Sequence, residues 1–183
     1  MHLLQLVVLA ASLAPLPADL KAPEKPSPEL LALVDAAKAQ GLVSVDPERD
    51  GNKQAWCKSG KPAAELPIRE PSTLDRIWWP ARAGSSKAVR AQVAHLRSAA
   101  CPNDVFRLEL MEVTYESEAD AKRALQELRK YTEDHDVESM KFVHAYWRKE
   151  NRVYDGASGA FMWWDPFLKI LKRAGVRELL NQD

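Results

Sequence analysis

Between Val105 and Gly175 the chain switches repeatedly between a period of two and a period near 3.6, and that order limits the folds open to it. Val105 to Tyr115 sets charged Arg107 and Glu109 against apolar Phe106, Leu108 and Leu110, the alternation of a half-buried strand. Ser117-Glu118-Ala119-Asp120 then approximates a capping box, with Asp standing for the longer Glu. The helix it opens reaches about Tyr131 and turns Ala121, Ala124, Leu125, Leu128 and Tyr131 inward. Met140 to Lys149 reads as a second long strand. Glu150-Asn151 makes a tight turn without the Gly that hairpins favour, and Arg152 to Tyr154 returns as a short strand. Asp165-Pro166 supplies an N-cap and a first helical residue. Phe167, Leu168, Ile170 and Leu171 follow, and Gly175 closes that helix.

A β-α-β-β-α order of this kind predicts an α+β domain with helices on one face of a mostly antiparallel sheet. It resembles half of a ferredoxin-like sandwich. The resemblance is architectural and implies no activity. Upstream, Ser27-Pro28-Glu29 opens a helix whose apolar face is Leu30, Leu31, Leu33, Val34 and Ala37, and Gly41 ends it. Leu42 to Val45 is a short strand candidate. Asp46 to Gly60 is polar and loop-like, Leu66 to Pro71 is extended, and Leu74 to Trp79 is a helical turn stopped by Pro80. Ser85-Ser86 caps a further expected helix with Val89, Val93, Leu96 and Ala100 on one side, halted by Pro102.

The first eighteen residues have a different character. Met1 to Ala18 contain no Lys, Arg, Asp or Glu, and Leu3 to Ala14 are almost unbroken apolar residues. Crossing a bilayer takes roughly 20 such residues, so the run fits a secretory signal peptide better than a span. Its positive charge rests on the α-amino group alone. A buried N-terminal helix is the competing reading, but Pro15 and Pro17 stop the run abruptly. The expected organisation is a signal peptide over 1–18, a Pro-rich tether over 19–28, and a single α+β domain over 29–183. Such a chain works in the periplasm or outside the cell. All 26 basic and 26 acidic residues follow Ala18, so the mature chain is formally neutral and has no long-range pull toward nucleic acid. No later segment approaches membrane-spanning length.

Export gives the two cysteines their meaning. Cys57 and Cys101 are expected to form one disulfide, stapling the irregular N-terminal portion to a regular element. A closed loop of about 45 residues would contribute up to roughly 4 kcal/mol in the chain-entropy account.

Motifs for chemistry are weak. Asp46 to Cys57 starts like a calcium loop, yet Lys53 and Cys57 stand where an apolar residue and a bidentate Glu are required. Glu133-Asp134-His135-Asp136 has metal-binding residue types without a regular scaffold. Gly156-Ala157-Ser158-Gly159-Ala160 resembles a nucleophile elbow but lacks its second Gly, and Ser158 would need His95 or His144 as base. No catalytic residue, cofactor or metal is assigned. The remaining oddity is six tryptophans. Neighbours in Trp78-Trp79 and Trp163-Trp164 cannot both point inward from a strand or a helix centre, so one of each pair is expected to be partly exposed, either as core and interface filler or as a binding surface. The expected role is non-catalytic: contact with a protein partner or an envelope polysaccharide. A carbohydrate-binding module using the Trp pairs and a small secreted hydrolase are the alternatives.

N-terminal sequencing of the exported form is expected to start near Pro15 or Asp19; an intact Met1 would overturn export. Non-reducing peptide mapping of the same material should join Cys57 to Cys101, and two free thiols would refute the bond.

Overall fold

The computed structural model describes residues 25–45, 68, 71, 87–98, 107–134, 142–159 and 164–176. Its elements run α1 (Pro28–Lys38), β1 (Leu42–Ser44), β2 (Ala88–Ser98), β3 (Arg107–Tyr115), α2 (Glu118–Asp134), β4 (Phe142–Lys149), β5 (Arg152–Gly159) and α3 (Trp164–Arg173). Local chemistry explains the helix ends. Ser27 Oγ accepts from the Leu30 N–H at 3.1 Å, and Pro28, which has no N–H to lose, follows it. Ser117 Oγ takes the Asp120 N–H in the same way at the start of α2. Beyond α3, Gly175 at φ +81° donates to the Lys172 carbonyl and Val176 to the Leu171 carbonyl. This is the paired C-terminal closure that a left-handed Gly permits.

The five strands form one sheet in the order β1-β2-β3-β5-β4, with every neighbouring pair antiparallel. β5 therefore lies between β3 and β4, which are parallel to each other and joined through α2. The two-residue turn at Glu150-Asn151 holds Glu150 at φ +53°, an uncommon conformation for a residue with a Cβ. It is tied down from outside: Asn151 Nδ2 donates to the Tyr115 carbonyl at 2.8 Å, and Arg148 Nη1 donates to the Glu150 carbonyl at 2.6 Å. The hairpin continues to Gly159, well past Tyr154 where the sequence suggested it would stop.

Two expectations are corrected. The segment read as a helix after Ser85-Ser86 is strand β2, in the interior of the sheet. Ala91 and Val93 bury on one face while Ala94 and Leu96 bury on the other. A strand apolar on both faces loses its alternation, and its alanines then imitate a helix. The helices also do not share a face. Leu30, Leu33, Val34 and Ala37 of α1 and Phe167, Ile170 and Leu171 of α3 pack on Ala94, Leu96, Leu108, Leu110, Trp147 and Tyr154. Ala121, Ala124, Leu125 and Leu128 of α2 pack on Val93, Met111, Val113, Tyr146 and Val153. Because successive strand residues face opposite ways, these are two cores on opposite sides of the sheet. The half-sandwich with helices on one side gives way to a three-layer α+β arrangement. Among the described residues no helix is long and apolar enough to cross a membrane.

On the α1/α3 face a row of small residues crosses the sheet: Ala94, then Gly156 and Ala145, with Leu110 between the first two. The Phe167 ring of α3 sits directly on Gly156, where a Cβ would stand 2.5 Å from Cζ and 2.9 Å from Cε2. Gly156→Ala is expected to cost about 1–3 kcal/mol in urea unfolding through overpacking. Combining it with Phe167→Leu should cost less than the sum of the two single changes. Full additivity would show that the ring and the new methyl do not meet.

Candidate functional site

Register places four residues in a second row across the same face: Gln92 on β2, Glu112 on β3, Tyr154 on β5 and Trp147 on β4. Trp147 and Tyr154 stack with ring centroids 5.3 Å apart and planes within 8°. The other half of the row is polar and equally enclosed. Gln92 is 1% exposed and Glu112 2% exposed. Gln92 Nε2 donates to Glu112 Oε1 at 2.9 Å, and the Ser27 hydroxyl donates to Oε2. Ser27 thus does two jobs, capping α1 and anchoring its first turn to the sheet. The Tyr154 hydroxyl lies beside Ser27 and Arg152 but outside hydrogen-bond geometry. Burial pushes its pKa above the usual phenol value, and the Glu112 charge pushes it further.

The next row outward is Arg90, Thr114, Arg152 and Lys149. Glu29, in the first turn of α1, pairs with Lys149 and with Arg152 Nη1 at 3.4 Å. Burial tends to raise the Glu29 pKa, but the Lys149 hydrogen bond, its own backbone N–H and the two cations outweigh it and hold the carboxyl below 4.5. A β-bulge between Ala88 and Arg90 leaves Val89 without a partner on β3 and 43% exposed.

Row, bulge and the chain entering α1 enclose a cleft of about 410 Å³, lined by Lys25, Pro26, Ser27, Pro28, Val89, Arg90, Glu112, Thr114 and Arg152. Its volume is in the range of small-molecule sites. Lys25 and Arg90 make no ion pair among the described residues. The cleft combines three cations, one buried acceptor, two hydroxyls and one exposed apolar side chain.

Of the candidate residues singled out in the sequence, those among the described residues do not line this cleft. Cys57, Cys101, Trp56, Trp78, Trp79 and Trp163 lie outside the described residues, as does the stretch Asp46 to Cys57. Trp164 is the first residue of α3. Trp147 is buried, 4% exposed, and belongs to the core. Gly156 and Ser158 lie within strand β5, not on a strand-to-helix turn, and His144 pairs with Ala157 rather than with Ser158. His144 Nδ1 meets the Asp155 carboxylate at 3.0 Å and its ring stacks on Tyr146. His95 faces Glu109, with Nδ1 3.6 Å from Oε1. No group of three potential metal ligands is assembled among the described residues. Sequence reading missed Glu112, although a signal was available. It is a lone carboxylate in the run Leu110-Met111-Glu112-Val113, whose apolar neighbours face both ways.

Removing the Glu112 carboxylate leaves two buried donors without a partner. Glu112→Ala is expected to lose about 2–4 kcal/mol of unfolding free energy. Glu112→Leu with Gln92→Leu should recover part of that, because it removes the Gln92 donor together with its acceptor and leaves only the Ser27 hydroxyl without that partner. An equal loss in the double variant would show that the carboxylate serves no donor–acceptor role. Comparisons with protein-family models, curated proteins and solved structures find no match for this chain, so its functional reading rests on this geometry.

Proposed function

We propose that this chain is a binding protein working outside the cytoplasm, which holds a protein partner or an envelope component without transforming it. The observation that carries the reading is the cleft at the start of α1, with Lys25 and Arg90 unpaired among the described residues on its walls and the partnered Glu112 at its floor. A surface cation with no internal partner keeps its charge available to a ligand, and complementary charge brings partner selection as well as attraction. The fixed parts of the cleft support recognition too. Arg152 is held by Glu29, so little side-chain freedom remains to be lost on binding. The pairs Trp78-Trp79 and Trp163-Trp164 belong to the same reading as a second, aromatic contact surface. Export rests on the apolar run before Ala14 and supplies the compartment.

A photo-crosslinking residue placed at Val89 in the producing cell tests this directly. Irradiation is expected to give a defined adduct that Arg90→Glu abolishes. The same residue placed at Lys122, on the exposed side of α2, should give none. No cleft-specific adduct would overturn the proposal, and so would chemical conversion of the captured compound by the purified protein.

A further inference from the structure

The chemistry lining the cleft is selective about what it can hold. Arg90 and Arg152 flank Thr114 in one row, on strands separated by β3. Two strand spacings put their backbones roughly 10 Å apart. Side chains of that length can converge on one anion above Thr114, with Lys25 approaching from the segment before α1. Arginine forks suit a carboxylate or a phosphoryl group equally well. Glu112 adds a second requirement. A carboxylate offers about four acceptor positions, and only two are taken, by Ser27 and Gln92. The floor of the cleft therefore favours a ligand that brings donors close to its own negative charge. Sulfate brings none, and hydrogen phosphate brings its own P–OH but no ring face to set against Val89. A neutral sugar brings hydroxyls but leaves Lys25 and Arg90 unused. Val89, pushed out by the bulge, adds one apolar surface at the rim, suited to the C–H face of a ring. An acidic peptide would lack the deep apolar anchor that peptide recognition commonly uses, since Val89 is the one large aliphatic side chain in the lining apart from the prolines.

Building on the reading of this chain as a binding protein, we propose that the cleft holds a hexuronic acid unit. The ring carboxylate lies between Arg90 and Lys25, a ring hydroxyl donates to Glu112, and the ring face rests on Val89. The ligand is either a free sugar acid or one residue of an acidic polysaccharide.

Calorimetric titration of the mature full-length chain decides the matter, with trigalacturonate, galacturonate, methyl-esterified trigalacturonate, inorganic phosphate and a hexaglutamate peptide as probes. Trigalacturonate is expected to bind, with affinity falling about tenfold in Arg90→Gln and falling as salt rises. The methyl ester should not bind measurably. Arg90 is exposed, so the variant's unchanged melting temperature will separate lost binding from lost folding. Monomer and trimer binding alike would assign the site to a free sugar acid, and trimer binding alone to a polymer. Either result supports the proposal. Phosphate competing as well as trigalacturonate, equal binding of the ester, or binding of hexaglutamate alone would each overturn it. So would an absence of binding by every probe. In that case a cleft-specific adduct from Val89 would still leave the binding-protein reading standing, whereas loss of both would remove the two together.

Discussion

Glu112 carries a charge into the middle of β3, where leaving it unpaired would cost several kcal/mol. Its two donors come from different places. Gln92 sits across the strand pair, and Ser27 sits at the start of a helix 85 residues earlier in the chain. The arrangement makes the position of α1 on the sheet a condition for satisfying the carboxylate. An apolar helix face can slide along an apolar sheet with little change in buried area; a hydroxyl that must meet one oxygen cannot. Glu29 adds a second fixed point two residues further on, against Lys149 and Arg152. These contacts are half-exposed and contribute less energy than direction. The cleft exists because the segment before α1 is held at this height above Arg90 and Thr114.

Elements whose two faces differ were readable from the sequence. α1, with Ser27 at its cap and Gly41 beyond its end, carries its buried residues at helical spacing. β4, the start of β5 and the closure of α3 at Gly175 were equally plain. β2 was misread for a physical reason. It buries Ala94 and Leu96 in one core and Ala91 and Val93 in the other, and a strand with apolar residues on both faces does not betray its period. The same enclosure hid the distribution of the helices. Alternation says which residues share a face of a sheet, but it does not say which helix will cover that face. The candidate site was hardly legible at all. Arg90, Glu112 and Arg152 are far apart in sequence, and only strand register brings them into adjacent rows.

Formal neutrality and a strongly directional local field coexist without conflict here. The chain has 26 basic and 26 acidic residues, yet strand pairing collects Arg90, Arg152 and Lys149 in one row at one end of one face. Glu29 answers two of those three cations and leaves the third. Charge balance over the whole sequence limits attraction at long range. It places no limit on contacts at the length of a side chain.

The two layers differ in how much of the chain each one needs. The α2 layer draws on residues from Ala88 to Val153, so its partners are near one another along the chain. The opposite layer joins α1 to α3, and the Glu29–Lys149 contact alone spans 120 residues. Closing so wide a loop comes late when a chain is made or delivered from its N-terminus. Until Phe167 arrives, Gly156 lacks the ring that covers it. During synthesis, one side of this sheet is therefore finished early. The side that carries the cleft stays open and apolar until nearly the whole chain has emerged.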